Sequence, residues 1–307
     1  MQNTSELYRR YRPTLFKQVI GQDKAIKQLD KFLKNKTLPH ALLLSGPSGV
    51  GKTTIARILQ TKLNCSDSDF TEMNCADFRG IDMVRDIRQR VPLAAMGGDT
   101  RIWLIDEAHK LSSDAQQAFL KMLEDTPNHV YFLLCTTDPE KLLKTVRTRC
   151  TELRLGPLSA KDMESVVRSV LEKEGKELSG DVVDKIVDVA DGSARKALVL
   201  LHQIIDIESE EEQIEIVQKS ESKKQAIDLC RLLLRGAKWT EVAELLKQIE
   251  EEPETIRHMV LGYANSVVLG GGKMAKRGAA MLDAFRDHFY DSKKAGLTLA
   301  CWTLYGE

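Results

Sequence analysis

Apolar residues along this chain fall into two patterns, and the point where one gives way to the other divides it. Up to residue 155, short continuous apolar runs at Ala41–Leu44, Phe70–Asn74, Arg101–Asp106, Val130–Thr136 and Glu152–Leu155 alternate with stretches whose apolar residues recur every three or four positions. Runs of that length read as strands buried on both faces. The stretches between them read as helices over Asp23–Lys36, Thr53–Leu63, Ile81–Val91 and Ser112–Glu124. Such alternation predicts an α/β domain, a parallel five-stranded sheet with helices on both faces. Residues 7–22, ahead of the first helix, read as an extended lead-in because Pro13 disfavours helix at Arg12.

Gly156-Pro157 ends this pattern, and beyond it the strand signal stops. Helices fit Ser159–Lys173, which opens on a capping-box-like Ser159-x-x-Asp162, then Gly180–Ala190 and Ser193–Ile207. Glu208–Gln213 reads as a solvated helix end, and further helical pieces lie near 222–235, 240–250, 254–268, 273–290 and 292–304. The expected domains are therefore an α/β domain over 1–155, a helical domain over 156–220 and a second helical domain over 221–307.

The sharpest chemical signal follows the first strand. Gly46, Pro47, Ser48, Gly49, Val50, Gly51, Lys52 and Thr53 form G-x-x-x-x-G-K-T between an apolar strand and a helix, with Thr54 next in line. Glycines let successive backbone N–H groups face one anion, and the helix beginning near Lys52 adds the positive end of its dipole. A triphosphate fits that cradle: Lys52 reaches its outer phosphates and Thr53 offers a hydroxyl to Mg²⁺. The run Arg101–Asp106 ends in Asp106-Glu107, the acidic pair such a loop requires, with Asp106 suited to the metal and Glu107 to the attacking water. Asp106-Glu107-Ala108-His109 also spells a helicase box, too short to weigh beyond its Asp-Glu pair. Thr137 follows the fourth strand at its carboxyl end, where open parallel sheets bind ligands.

Composition changes this picture little. The apolar fraction is 42%, and no apolar run approaches the ~20 residues of a membrane span. Met1–Arg10 is polar and does not read as a secretory leader. Six cysteines without Cys-x-x-Cys spacing read as reduced thiols of a cytoplasmic protein, with neither zinc nor disulfides expected. Net charge is zero, yet residues 1–155 hold 24 Lys and Arg against 18 Asp and Glu, and residues 156–220 hold 8 against 15. A neutral total thus leaves room for a phosphate-binding face in the first half.

Together these motifs resemble an AAA+ ATPase of the clamp-loader group, from residue 7 to about 207. Tyr11-Arg12-Pro13 with Val19-Ile20-Gly21 resembles that family's adenine-pocket box. Glu72-Met73-Asn74 with Asp77-Phe78-Arg79-Gly80-Ile81-Asp82 is similar to replication factor C small subunits. Leu133-Leu134-Cys135-Thr136-Thr137-Asp138-Pro139 and Gly192-Ser193-Ala194-Arg195 resemble the bacterial gamma/tau subunit. The mixture suits a phage-type loader in the cytoplasm of a bacterium or an infected host. The resemblance implies an ATP- and Mg²⁺-dependent ATPase with a helical lid (156–220) and a helical C-terminal collar (221–307) that oligomerises.

By the same resemblance Tyr8, Arg12, Val19 and Ile20 surround the base, and Thr137 senses the γ-phosphate. Arg195 acts from the lid, and Asn74 is a polar switch that holds Glu107 off its water. Thr148-Arg149-Cys150 stands where the family has Ser-Arg-Cys, which makes Arg149 the finger inserted into a neighbouring subunit's ATP. The zinc insertion of the bacterial subunit is missing, since Lys62 to Phe70 is too short for it. Duplex phosphates would meet Arg79, Arg85, Lys110 and Ser113, which also read as ordinary surface residues. A sliding clamp would meet Val91, Pro92, Leu93 and Met96, a cluster that fits a buried core as well. The implied partners are the clamp, primer-template DNA and companion subunits in a pentamer. The alternatives are a branch-migration motor, which should carry a winged-helix domain with strands at its C-terminus, and a nucleotide-binding scaffold subunit that does not hydrolyse.

Overall fold

The computed structural model describes residues 6–76, 80–249 and 251–305, and the chain divides into two units, Met1–Asp206 and Ile207–Glu307. In the first unit, strands β1 (Ala41–Ser45), β2 (Phe70–Asn74), β3 (Arg101–Asp106), β4 (Val130–Thr136) and β5 (Thr151–Arg154) lie side by side in the order β2-β3-β4-β1-β5. Every pairing is parallel. Helices accompany the strands, as the alternation predicts: α2 (Asp23–Lys34), α3 (Lys52–Lys62), α4 (Ile81–Arg90), α5 (Ser113–Glu124) and α6 (Lys144–Arg147). Four more, α1 (Leu7–Arg10), α7 (Ala160–Glu174), α8 (Gly180–Ala190) and α9 (Ala194–Ile204), pack with one another.

The sheet's centre is dry because its strands carry no outward polar face. All of β1 and residues 101–105 of β3 are buried. On one side Trp103, Phe119 and Phe132 pack together, with Phe119 edge-on to Phe132 at 5.0 Å between ring centres. Burying aromatic rings of this size dominates the energetics of such a core, and the edge-on geometry adds about 1 kcal/mol. The carboxyl ends of β1, β3 and β4 therefore stand on a rigid base.

The lead-in departs from its expected extended form. Leu7–Arg10 make one helical turn whose Leu7 is fully buried, and Phe16–Gln18 make a 3₁₀ turn. Pro13 restricts only its immediate neighbour, so the chain remains free to coil on either side of it. Among the described residues the second unit holds helices only, α10 (Glu210–Arg235), α11 (Trp239–Gln248), α12 (Pro253–Leu269), α13 (Ala275–Ala284) and α14 (Lys293–Thr303). They enclose a core that includes Leu229, Leu233, Val260, Met281, Phe285 and Leu297.

The expected boundary between 220 and 221 falls inside α10. Ser209 caps that helix by accepting the Glu212 N–H, and Glu210, Glu211 and Glu212 face the positive end of its dipole, so one helix continues through the acidic stretch. Ser159, Ser179 and Ser193 cap α7, α8 and α9 in the same way.

Candidate functional site: a phosphate loop under a helical wall

The loop from Gly46 to Gly51 joins β1 to α3, and its glycines do what their sequence positions demand. Gly46, Gly49 and Gly51 have φ of 147°, 80° and 106°, which only glycine adopts freely. A Cβ on Gly46 would run into the Leu155 carbonyl, and one on Gly49 into the Ser193 hydroxyl. The loop is thus pressed between the end of β5 and the start of α9. Gln22 braces it from α2's N-terminus, donating from Nε2 to the Gly156 carbonyl at 2.8 Å and the Val50 carbonyl at 3.4 Å.

Lys52 is buried, and its Nζ donates to the Gly46 and Pro47 carbonyls at 2.8 and 2.7 Å. Burial pushes its ammonium down from the ordinary lysine value, while Glu107 and Asp106 work the other way. The Thr53 hydroxyl donates to Asp106 Oδ2 at 3.1 Å, so the two side chains expected at a metal meet across the ends of α3 and β3. Asp106 Oδ1 accepts the Glu107 N–H at 2.9 Å. That bond helps hold Glu107 at φ 51°, a left-handed conformation uncommon for a residue with a side chain. The Thr137 hydroxyl lies 3.4 Å from Glu107 Oε2.

These groups open onto a cavity of about 390 Å³ lined by the lead-in, the phosphate loop, Asp106, Glu107 and the inner faces of α7 and α9. Tyr8, Arg12, Val19 and Ile20 line it together with Ser48 through Thr54 and Arg195. Arg195 donates its backbone N–H to the Gly49 carbonyl at 3.4 Å and holds its guanidinium 5.7 Å from the Tyr8 ring centre. Burial lowers the Arg12 pKa, and the nearby cations of Arg57 and Arg195 lower it further, a local surplus of positive charge suited to an anion. Lys173, which the sequence did not single out, lines the same cavity with its ammonium over Tyr11.

Asn74 ends β2 in register with Asp106, and its Oδ1 accepts the Ala76 N–H at 2.9 Å. Arg149 follows α6 and is not among the residues lining the cavity. Its guanidinium donates to Glu124 through Nε at 2.8 Å and through Nη2, and to the Thr145 carbonyl at 2.9 Å. Arg79 lies outside the described residues. Arg85 on α4, Lys110 after β3 and Ser113 at the start of α5 are exposed.

The expected clamp-facing cluster splits. Val91 is 6% exposed and belongs to the core, whereas Pro92 is exposed and Leu93 and Met96 are 55% and 86% exposed. What carries that loop is an ion pair the sequence hid. Asp69, just before β2, accepts the Met96 and Gly97 N–H groups at 2.9 Å through Oδ2 and the Arg101 guanidinium at 2.9 Å through Oδ1. Arg101 also donates to the Arg90 and Ala94 carbonyls, both at 3.0 Å. Burial works to raise the Asp69 pKa, but the amides and the guanidinium outweigh it and hold the carboxyl well below the usual carboxylate range.

Among the described residues no group of three or more His, Cys, Asp or Glu side chains could hold a metal ion, and burial pushes the thiols of Cys75, Cys150, Cys230 and Cys301 up to about 12. No helix among them is long and apolar enough to cross a membrane.

Comparison with known proteins follows the same lines. The family model described as DNA polymerase III, delta subunit, matches residues 21–83 and 74–159. DNA polymerase III subunit gamma of Buchnera aphidicola subsp. Schizaphis graminum is 34% identical over 226 residues, which cover 67% of this chain and 62% of that one. The replication factor C small subunit of Natronomonas pharaonis is 36% identical over 192 residues, covering 62% and 59%. DNA polymerase III subunit tau of Bacillus subtilis is 34% identical over 220 residues, and the match spans 39% of its length. The chain thus spans less than two thirds of these relatives. Among solved structures, the Thermotoga maritima RuvB Holliday junction branch migration motor superposes with a TM-score of 0.56 at 21% identity, covering 70% of this chain and 78% of that one. At that identity the likeness speaks for the fold alone. The sheet and phosphate loop of this chain and its gamma, tau and replication factor C relatives agree: over about two thirds of its length the chain is similar to clamp-loader subunits of the AAA+ group.

Proposed function

We propose that this chain is an ATP-hydrolysing subunit of a loader that places sliding clamps on primer-template DNA. The observation that carries the reading is the meeting of Thr53 with Asp106 at 3.1 Å, beside Glu107, at the mouth of a cavity walled by both the sheet and α9. In this reading Lys52 turns from the Gly46 and Pro47 carbonyls to the β- and γ-phosphates. Thr53 and Asp106 are the residues that would hold Mg²⁺, whose donors here are the hard oxygens it prefers. When bound, Mg²⁺ neutralises charge on the outer phosphates. Glu107 takes the proton of the attacking water, Thr137 senses the γ-phosphate, and Asn74 is the switch that restrains Glu107. Tyr8, Arg12, Val19 and Ile20 enclose the base.

The exposed position of Arg149 supports a role outside its own subunit. A guanidinium delivered to a neighbour's γ-phosphate stabilises charge that develops in the transition state. Hydrolysis then requires assembly, for which we propose a pentamer held through a C-terminal collar, with residues 156–220 acting as the lid. Binding of ATP orders the assembly and opens the clamp; hydrolysis releases clamp and DNA. Duplex phosphates are met by Arg79, Arg85, Lys110 and Ser113, and the clamp by Pro92, Leu93 and Met96 over a base that includes Val91. Such an assembly works in the cytoplasm.

A branch-migration motor shares the fold, but the all-helical second unit supplies no winged-helix strands among its described residues. Steady-state ATPase of the chain with its companion subunits tests the reading. Primer-template DNA and a clamp together should stimulate turnover well beyond either alone. Stimulation by four-way junctions and not by the clamp would overturn it.

A further inference from the structure

His109 sits at the site without a role in the chemistry above. It belongs to the short 3₁₀ turn Ala108–Lys110 that leads away from Glu107, and its side chain is 11% exposed. Its Nδ1 lies 3.4 Å from Glu107 Oε2 and 3.0 Å from the hydroxyl of Thr136, the fully buried last residue of β4. Thr136 Oγ1 also accepts the Asp138 N–H at 3.1 Å, which ties the hydroxyl to the turn after β4. The Thr137 hydroxyl approaches the same Glu107 oxygen at 3.4 Å.

Two tautomers fit these distances: a bare Nδ1 accepts from the Thr136 hydroxyl, and an Nδ1–H faces that hydroxyl and Glu107 together. Glu107 offers a carboxylate oxygen and no proton, so a bare Nδ1 would set one lone pair against another. A proton on Nδ1 instead faces both the carboxylate and a hydroxyl that can accept. We infer that His109 is a positioning residue that holds the Glu107 carboxylate through Nδ1–H, a role that rests on the reading of Glu107 as the base. His109 and Thr137 grip one carboxylate oxygen from two sides and leave the other for the proton of a water. Burial lowers the His109 pKa from its ordinary value, which favours a neutral ring whose single N–H can be committed to this contact. Because Glu107 also has a fixed backbone, at left-handed φ with its N–H on Asp106, the ring fixes the remaining freedom of the side chain.

Asparagine places an amide nitrogen where histidine has Nδ1, whereas glutamine places it near Nε2, which gives a test that packing alone does not satisfy. ATPase of the assembled loader at saturating ATP would be measured for His109→Leu, His109→Gln, His109→Asn and Glu107→Gln, with nucleotide affinity of each chain titrated separately. Loss of the grip should reduce kcat about tenfold to a hundredfold in His109→Leu and His109→Gln with nucleotide affinity unchanged, and His109→Asn should recover most of it. Equal losses in all three His109 variants would mark the ring as packing and overturn the inference. So would wild-type turnover in His109→Leu alongside a collapsed Glu107→Gln, an outcome that leaves the function itself standing. Undiminished turnover in Glu107→Gln would remove the reading of Glu107 and this inference with it.

Discussion

Glu107 and Lys52 stand a short distance apart with different duties, and their variants should separate binding from chemistry. Lys52→Ala removes the charge expected on the outer phosphates and should abolish nucleotide binding. Glu107→Gln keeps the cavity and its hydrogen-bonding shape but cannot take a proton, so binding should persist while turnover falls about 10²- to 10⁴-fold. Nucleotide titration beside steady-state ATPase checks both, and equal binding losses in the two variants would contradict the assignment. Arg149→Ala should leave nucleotide affinity of the isolated chain within about twofold, yet lower turnover of the assembly by about 10³ or more. At this scale the loop and acidic-pair residues were legible, because each chemistry needs one residue type at one spacing. His109 was not, because nothing in a four-residue box says which ring nitrogen meets a carboxylate. Lys173 was hidden likewise, since its approach depends on how α7 lies against the lead-in.

At the scale of elements, strand and helix order could be read because the sheet is buried on both faces and its strands are written as apolar runs. The Asp69–Arg101 clip could not. It joins residues 32 positions apart, and an arginine opening an apolar strand looks like an edge charge until the fold buries it. Both side chains are nearly inaccessible, so Asp69→Asn leaves a buried guanidinium without its counter-charge and should destabilise the first unit by about 3–5 kcal/mol. Acid should do the same to the wild type. A carboxyl whose folded pKa is depressed contributes stability that is complete above its unfolded value and lost as pH falls. Chemical denaturation should therefore show wild-type stability falling below about pH 5, with a shallower fall in Asp69→Asn. Parallel pH dependences would show that Asp69 is not a source of the acid sensitivity. The same clip presents Leu93 and Met96, so Asp69→Asn should also weaken clamp binding without altering nucleotide affinity.

Across the whole molecule, a balanced total charge conceals a basic excess in the first 155 residues, and that excess sets an expectation for DNA. Contacts to phosphate are independent of sequence and weaken as salt releases its advantage. Arg85→Ala and Lys110→Ala should each lower DNA affinity evenly across sequences and reduce the salt slope by about 1. An unchanged slope would remove that residue from the interface. The lid and collar assignments depend on how several chains meet, which one chain's periodicity does not encode; helicity and length alone were readable in residues 207–305. Clamp loading is best measured by counting clamps transferred to primed circular DNA by the chain and its companion subunits. Transfer should require ATP, fail on unprimed circles and disappear with Lys52→Ala. ATP turnover stimulated by DNA with no clamp ever transferred would overturn the clamp-loading proposal.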